Sequence, residues 1–156
     1  MTSFFENRVG IAAPAEIVWE VLYDVDSWTQ WNPLYPEVQG RVKIGEVLTL
    51  KQILPGGEEE VLRPRITEWV PHSHIYWHMA WIGGLVRAQR YFEIEAVSET
   101  GSIFANGEVF RGLLGPYVGN RLQRRLRAGY KLMGDAMRDR AQALWIERGG
   151  EPILTE

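Results

Sequence analysis

Three polar residues stand where an alternating strand pattern calls for apolar ones. Arg90 shares a strand face with Phe92 and Ile94, while Asn106 and Glu108 share one with Phe104 and Phe110. All three side chains are therefore expected to point inward. If the Glu99-Thr100-Gly101 turn joins the two strands as a hairpin, Arg90 and Glu108 come opposite or nearly so, close enough for a charge-assisted pair. Such a pair is either a structural ion pair or the polar end of a wet pocket. A buried pair seldom adds net stability, so its place on an aromatic-lined face favours the pocket. Two chemistries are open to it: fixing the polar end of a bound molecule, or proton transfer by Glu108 with Arg90 stabilising an oxyanion or enolate.

The three histidines offer less. His72, His74 and His78 lie within seven residues of one another, and His-x-His spacing can place two imidazoles on one side of a strand. Pro71 and Ser73 put the first two in a turn, however, and no acidic residue lies between Val70 and Tyr91. His78 falls opposite the Trp77 face, so no metal site is expected. The chain has no cysteine, which excludes thiolate zinc sites, iron-sulfur clusters and cysteine nucleophiles. Nucleophile-elbow, Walker, dinucleotide-binding and His-Glu-x-x-His motifs are missing too. No cofactor is expected.

The 156 residues, 46% hydrophobic, 24% charged and 12% aromatic, fit one compact domain that needs no disulfide or metal staple. Seventeen basic against twenty acidic side chains leave a net charge of -3, which argues against dedicated nucleic-acid binding. The stretch Met1 to Glu6 does not read as a signal peptide, so a cytoplasmic location is expected. The longest apolar run, Met79 to Val86, is far shorter than the roughly 20 residues that span a bilayer. Monomer and homodimer both remain open.

The elements that must position the polar trio follow from periodicity. Ser3 to Ile11 alternates as a half-buried strand, with Phe5, Asn7, Val9 and Ile11 on one face. Pro14 stands at a first helical position, and Ile17, Val18, Val21, Leu22 and Val25 recur at helical spacing. A second brief helix carries Trp28 and Trp31 and ends at Pro33 and Pro36. From Val47 to Phe110 turn signals at Pro55-Gly56-Gly57, Pro71-His72-Ser73, Gly83-Gly84 and Glu99-Thr100-Gly101 divide an antiparallel meander. Within it Ile75, Trp77, Met79 and Trp81 share one face.

After Gly115-Pro116 the pattern is helical to Arg148, roughly 50 Å if unbroken. One arc carries Val118, Leu122, Leu126, Gly129, Met133, Ala136, Met137 and Leu144; the other carries Arg121, Arg124, Arg125, Arg127, Lys131 and Arg138. The basic arc reads first as a solvated surface, with an anionic surface or acidic protein as the alternative partner. Gly129 on the apolar arc removes volume, either for close packing against the sheet or for a ligand.

Taken together, Ile11-x-Ala13-Pro14-Ala15-Glu16-x-Val18-Trp19, Trp28-x-x-Trp31-Asn32-Pro33, Arg90-x-Phe92-x-Ile94, Glu108-x-Phe110-x-Gly112 and the long final helix resemble the SRPBCC or START-like (Bet v 1-like) superfamily, nearest its polyketide cyclase/dehydrase branch. The resemblance runs from about Phe5 to Trp145. It implies an α+β helix-grip fold: a curved antiparallel sheet of about six or seven strands wrapped around a long C-terminal helix, with two short helices after the first strand. It also implies one ligand-binding domain over 3–148, followed by a flexible tail at 149–156. By position the family's cavity would be lined by Trp77, Trp81, Arg90, Phe92, Phe104, Asn106, Glu108, Phe110, Leu126, Gly129 and Met133, with a lipid, polyketide-like or aromatic metabolite inside. Binding is the leading expectation, and a cyclase, dehydratase or hydrolase using Glu108 and Arg90 is the alternative. Many relatives carry histidine at the position of Asn106; asparagine does not titrate near neutral pH, which removes a general base from that position here.

Overall fold

A computed structural model describes residues 3–151 of the chain. Strand β1 (Ser3–Ile11) leads into helix α1 (Ala15–Tyr23), a single 3-10 turn (Val25–Ser27) and helix α2 (Trp28–Trp31). Seven strands follow: β2 (Glu37–Gln39), β3 (Thr49–Ile53), β4 (Glu59–Leu62), β5 (Arg65–Val70), β6 (His74–Trp81), β7 (Val86–Ala96) and β8 (Ser102–Arg111). Helix α3 (Gly115–Glu147) closes the chain with 33 residues. The alternation of β1 and the periodicity of α1 and α3 therefore produce the expected elements, and the architecture is the helix-grip α+β fold.

Five strands form one antiparallel sheet in the order β1-β8-β7-β6-β5, and β2-β3-β4 form a second. The eight strands exceed the expected six or seven for two reasons. Pro64 has no N–H to donate and ends β4 two residues before β5 begins, and the short β2 precedes the stretch where alternation is legible. The sheets stay joined at the Val47–Arg65 bridge, where Leu48 N–H donates to Pro64 O at 2.9 Å, Ile66 N–H to Glu46 O at 2.9 Å and Gly45 N–H to Ile66 O at 2.8 Å. Helix α3 packs against β1, β7, β8 and α1. It lies so close to β1 that a Cβ on Gly134 would fall 2.5 Å from Asn7 Nδ2.

The interior between the sheets and α3 is filled chiefly by rings. Trp28 of α2 and Tyr35 after it reach over the sheet to Trp77 and Phe92, with centroid separations of 5.9 Å for Trp28–Tyr35, 5.5 Å for Tyr35–Trp77 and 5.0 Å for Trp77–Phe92. Phe104 stacks behind Phe92 at 6.4 Å. Edge-to-face and offset pairs of this kind add to the burial of the rings themselves.

Three local expectations are corrected. Pro14 is the residue before the first helical turn of α1 rather than its first member. A Cβ on Gly129 would meet Leu34 Cδ1 at 3.0 Å and Leu54 Cδ2 at 3.1 Å, so this glycine permits close packing and leaves no room for a ligand. Gly149 and Gly150, expected in the tail, instead cap α3. Gly149 has φ +88°, and the N–H groups of Gly149 and Gly150 donate to Ile146 O and Trp145 O at 3.0 and 2.8 Å, the paired bonds of a Schellman motif. The rest of that expected tail, from 152 to 156, lies outside the described residues.

Candidate functional site

A cleft of about 310 Å³ opens between the sheets and the first half of α3. Its walls are mainly apolar. Met79, Trp81 and Val86 come from the β6–β7 hairpin, Phe110 from the end of β8, Leu62 from β4, and Val118, Leu122 and Leu126 from successive turns of α3. The spacing of the last three, four residues each, keeps them on one helix face. Only Gln52, Glu60 and Glu108 bring polar side chains to the lining, and Glu108 is itself buried.

Of the eleven residues expected to line a cavity, four meet here: Trp81, Glu108, Phe110 and Leu126. The other seven do not reach this cleft. Trp77, Phe92 and Phe104 are buried in the aromatic cluster, because Trp28 and Tyr35 occupy the space that would have made them pocket walls. Gly129 faces Leu34 and Leu54. Arg90 and Asn106 form a buried polar layer against Met133 of α3.

Arg90 is fully buried and well satisfied. Its Nε donates to Tyr35 Oη at 2.8 Å, Nη1 to Gly107 O at 3.0 Å and to Tyr91 O at 3.3 Å, and Nη2 to Asn106 Oδ1 at 2.9 Å. The guanidinium lies 4.5 Å from the Phe92 ring centroid and 4.3 Å from that of Tyr130, so it is held by cation–π contact as well. Asn106 passes the bonding on, its Nδ2 donating to Tyr130 O of α3 at 3.2 Å. Burial also pushes the Tyr35 phenol up to about 12, against the pull of Arg90, so that ring stays neutral at Arg90.

Arg90 and Glu108 are opposite in the β7–β8 register, as the hairpin argument requires, but they make no direct ion pair. Tyr130 stands between them. Its ring lies against the Arg90 guanidinium, and its Oη donates to Glu108 Oε1 at 2.5 Å. Glu108 thus sits at the inner end of the cleft with one oxygen bonded by a phenol and a cation behind that phenol.

Burial raises the Glu108 carboxyl above its ordinary 4.5; Arg90 and the Tyr130 bond resist that rise, and Glu60 adds to it. The folded chain therefore holds this proton more tightly than the unfolded chain does. Its contribution to stability is complete below about 4.5 and is lost as pH rises through the raised value. Glu108→Gln keeps the shape and removes the charge, so the stability of the variant relative to the parent is expected to improve as pH rises through that window. Urea midpoints of both proteins across a pH series check this, and a difference constant with pH would contradict it.

A sequence-family model described as polyketide cyclase / dehydrase and lipid transport matches residues 4–144. The chain belongs to that family. Solved structures agree on the fold. The Zhui aromatase/cyclase from Streptomyces sp. R1128 superposes with a TM-score of 0.78 at 18% identity, over 97% of this chain and 100% of that one. A START superfamily protein from Mycobacterium smegmatis gives 0.69 at 17%, over 90% and 98%. Norcoclaurine synthase from Thalictrum flavum, in complex with dopamine and hydroxybenzaldehyde, gives 0.69 at 15%, over 97% and 90%. At these identities the likeness carries the fold alone. Among curated proteins, none matches the sequence.

Within this family frame, the residues that sequence reasoning missed are informative. Tyr130 lies four residues after Leu126 and three before Met133, on the apolar arc of α3, and that spacing was the available signal. Tyr35, in the irregular stretch after α2, gave none. Met79, Val118 and Leu122 were legible as inward-facing, whereas Gln52, Glu60 and Leu62 come from the second sheet, whose position no local pattern announces. The histidines are dispersed: His74 bonds Glu68 Oε2 at 3.0 Å, and His72, at φ +65°, meets the Trp19 ring edge-on. No helix among the described residues is long and apolar enough to cross a membrane.

Proposed function

We propose that this chain binds a compact, mostly apolar small molecule in the cleft, with Glu108 at its inner end meeting a hydrogen-bond donor or hydroxyl of the ligand. The observation that carries this reading is an apolar-walled cleft with a buried carboxyl in its lining, bonded by the Tyr130 phenol and raised by burial above its ordinary value. At about 310 Å³ the cleft lies at the small end of the usual ligand-site range of about 300–1,000 Å³. That size favours a one- to three-ring aromatic or polyketide-like molecule over a two-chain lipid. The structural neighbours fit this choice, since one is named an aromatase/cyclase and another is complexed with dopamine and hydroxybenzaldehyde.

At roughly 25 cal/mol per Å² of apolar surface, burying one aromatic ring system provides several kcal/mol before the entropy of association is subtracted. Micromolar affinity is the expected scale. N-phenyl-naphthylamine, a neutral fluorophore of two linked aromatic units, is expected to bind saturably at one per chain with a blue shift, and polycyclic phenols are expected to displace it. Absence of saturable binding would remove the reading.

A second reading is an enzyme of the cyclase, dehydratase or hydrolase kind. Its support is the Glu108–Tyr130 bond, which leaves an acid of raised pKa in the cleft lining, backed by the Arg90 charge. Here Glu108 would move the proton. Arg90, enclosed by its own bonds, would act only through Tyr130 and the field it sets up. Turnover of an aromatic or polyketide-like substrate that survives Glu108→Gln unchanged would exclude that role.

A further inference from the structure

The strongest feature that the cleft leaves unexplained is an apolar tip at its mouth. The turn Ile82–Gly84 with Leu85 connects β6 to β7, and Leu113 and Leu114 connect β8 to α3. Leu114 N–H donates to Leu85 O at 2.9 Å, so the two connections lie side by side. Their side chains project into solvent. Leu113 is 87% exposed, Ile82 63% and Tyr117 62%, with Leu85 and Leu114 exposed beside them. Single exposed apolar residues are ordinary, but a contiguous set at a cleft mouth is not. Ile82 also holds φ at +53°, a left-handed conformation that a β-branched residue adopts only at a cost, while its side chain borders the cleft.

The charge around the tip has one sign. Arg87 and Arg111 face each other across β7 and β8, an arrangement that is unfavourable unless something anionic meets both. Arg121 follows Tyr117 by one turn and donates to its Oη at 3.2 Å. Among the described residues, none of these three arginines has an acidic partner within ion-pair distance. Farther along α3 Lys131 and Arg138 pair with Asp135, Arg138 also with Asp139, and Arg148 just past the helix with Glu20, whereas Arg140 bonds only the neutral Gln30 and Arg127 lies over the Phe5 ring. Among the described residues the basic face of the helix is therefore partly neutralised along its second half and unpaired along its first half, from Arg121 at the tip through Arg124, Arg125 and Arg127. The acidic run Glu58-Glu59-Glu60 belongs to the β3–β4 hairpin, across the cleft from Ile82.

We propose that this tip docks on an anionic membrane surface, with Ile82, Leu85, Leu113 and Leu114 entering the headgroup layer and Arg87, Arg111 and Arg121 meeting lipid phosphates. Projecting aliphatic side chains bordered by tyrosine and arginine suit a bilayer interface, where they are buried without needing a complementary groove. The cleft mouth then faces the bilayer, and an apolar ligand passes between the two without crossing water. The proposal stands on the tip itself and does not depend on which ligand the cleft holds.

Vesicle flotation with the whole protein tests it, comparing phosphatidylcholine vesicles with an equimolar phosphatidylcholine–phosphatidylglycerol mixture. The protein is expected to float with the anionic vesicles and to stay largely behind with the neutral ones. Leu113→Glu, at a site too exposed to affect folding, is expected to weaken partition by about tenfold or more. Arg111→Gln is expected to weaken it about fivefold, and Lys131→Gln to leave it unchanged. Equal recovery with both vesicle types, or a Leu113→Glu protein that floats like the parent, overturns the proposal. Absence of flotation together with self-association that Leu113→Glu abolishes would assign the tip to a second copy and overturn it as well. Retention on polyglutamate without flotation would assign it to an acidic protein, again against the proposal.

Discussion

Arg90→Leu is expected to cost about 3–5 kcal/mol of folding stability, the scale seen when one member of a buried charged network is removed. Arg90 is fully buried and donates to Tyr35 Oη, Asn106 Oδ1 and the carbonyls of Tyr91 and Gly107. Leucine supplies none of these bonds and leaves several polar groups desolvated without a donor. It also removes the cation packed between the Phe92 and Tyr130 rings. Arg90→Lys rescues only part of this loss, because an ammonium cannot reproduce the planar fork or its stacking. Since Arg90 holds the Glu108 carboxyl down, its removal shifts that group further up and enlarges the loss of stability as pH rises. Guanidinium denaturation at two pH values measures both effects. A cost under about 1 kcal/mol would show that the layer of Arg90, Asn106 and Tyr130 does not hold α3 to the sheet.

Leu122→Trp is expected to close the cleft while leaving the fold intact. Leu122 is half-buried and lines the cleft midway along its helical wall, one turn before the fully buried Leu126. An indole there extends into the open space rather than into the packed core, so the overpacking penalty of about 1–3 kcal/mol that a buried site would incur is largely avoided. The volume it takes is volume a ligand needs. Affinity for a neutral aromatic probe is expected to fall by about tenfold or more, equivalent to about 1.4 kcal/mol.

How far the sequence reaches is clear from particular residues. The 2-residue alternation of β1 and the 3.6-residue period of α3 were plain because each element has one buried and one wet face. The inward direction of Arg90, Asn106 and Glu108 followed from the same rule, and all three are buried in the structure. Alternation states that a side chain points inward and nothing about what it meets there. Trp77, Phe92 and Phe104 therefore read as the wall of a cavity, whereas Trp28 from α2 and Tyr35 from the irregular stretch after it fill that cavity. For the same reason the direct Arg90–Glu108 pair was the natural expectation, and Tyr130, placed by the docking angle of α3, separates the two. The helix pattern alone leaves Gly129 open between close packing and ligand space; the positions of Leu34 and Leu54 decide for the contact.

The cleft consequently lies toward the first half of α3, away from most of the residues expected to line it. Its chemistry is also narrower. Among its lining residues, Glu108, Glu60 and Gln52 bring the polar groups and none is a cation, so neutral ligands suit it better than carboxylates.

The apolar ligand is expected to sit in this cleft. Parallel titrations of N-phenyl-naphthylamine into the parent protein and Leu122→Trp, with Leu113→Glu as a control for the exposed tip, test it most directly. Saturation at one probe per chain is expected in the parent and in Leu113→Glu, with affinity lower by about tenfold or more in Leu122→Trp. Equal binding by the parent and Leu122→Trp, or binding lost only in Leu113→Glu, would contradict it.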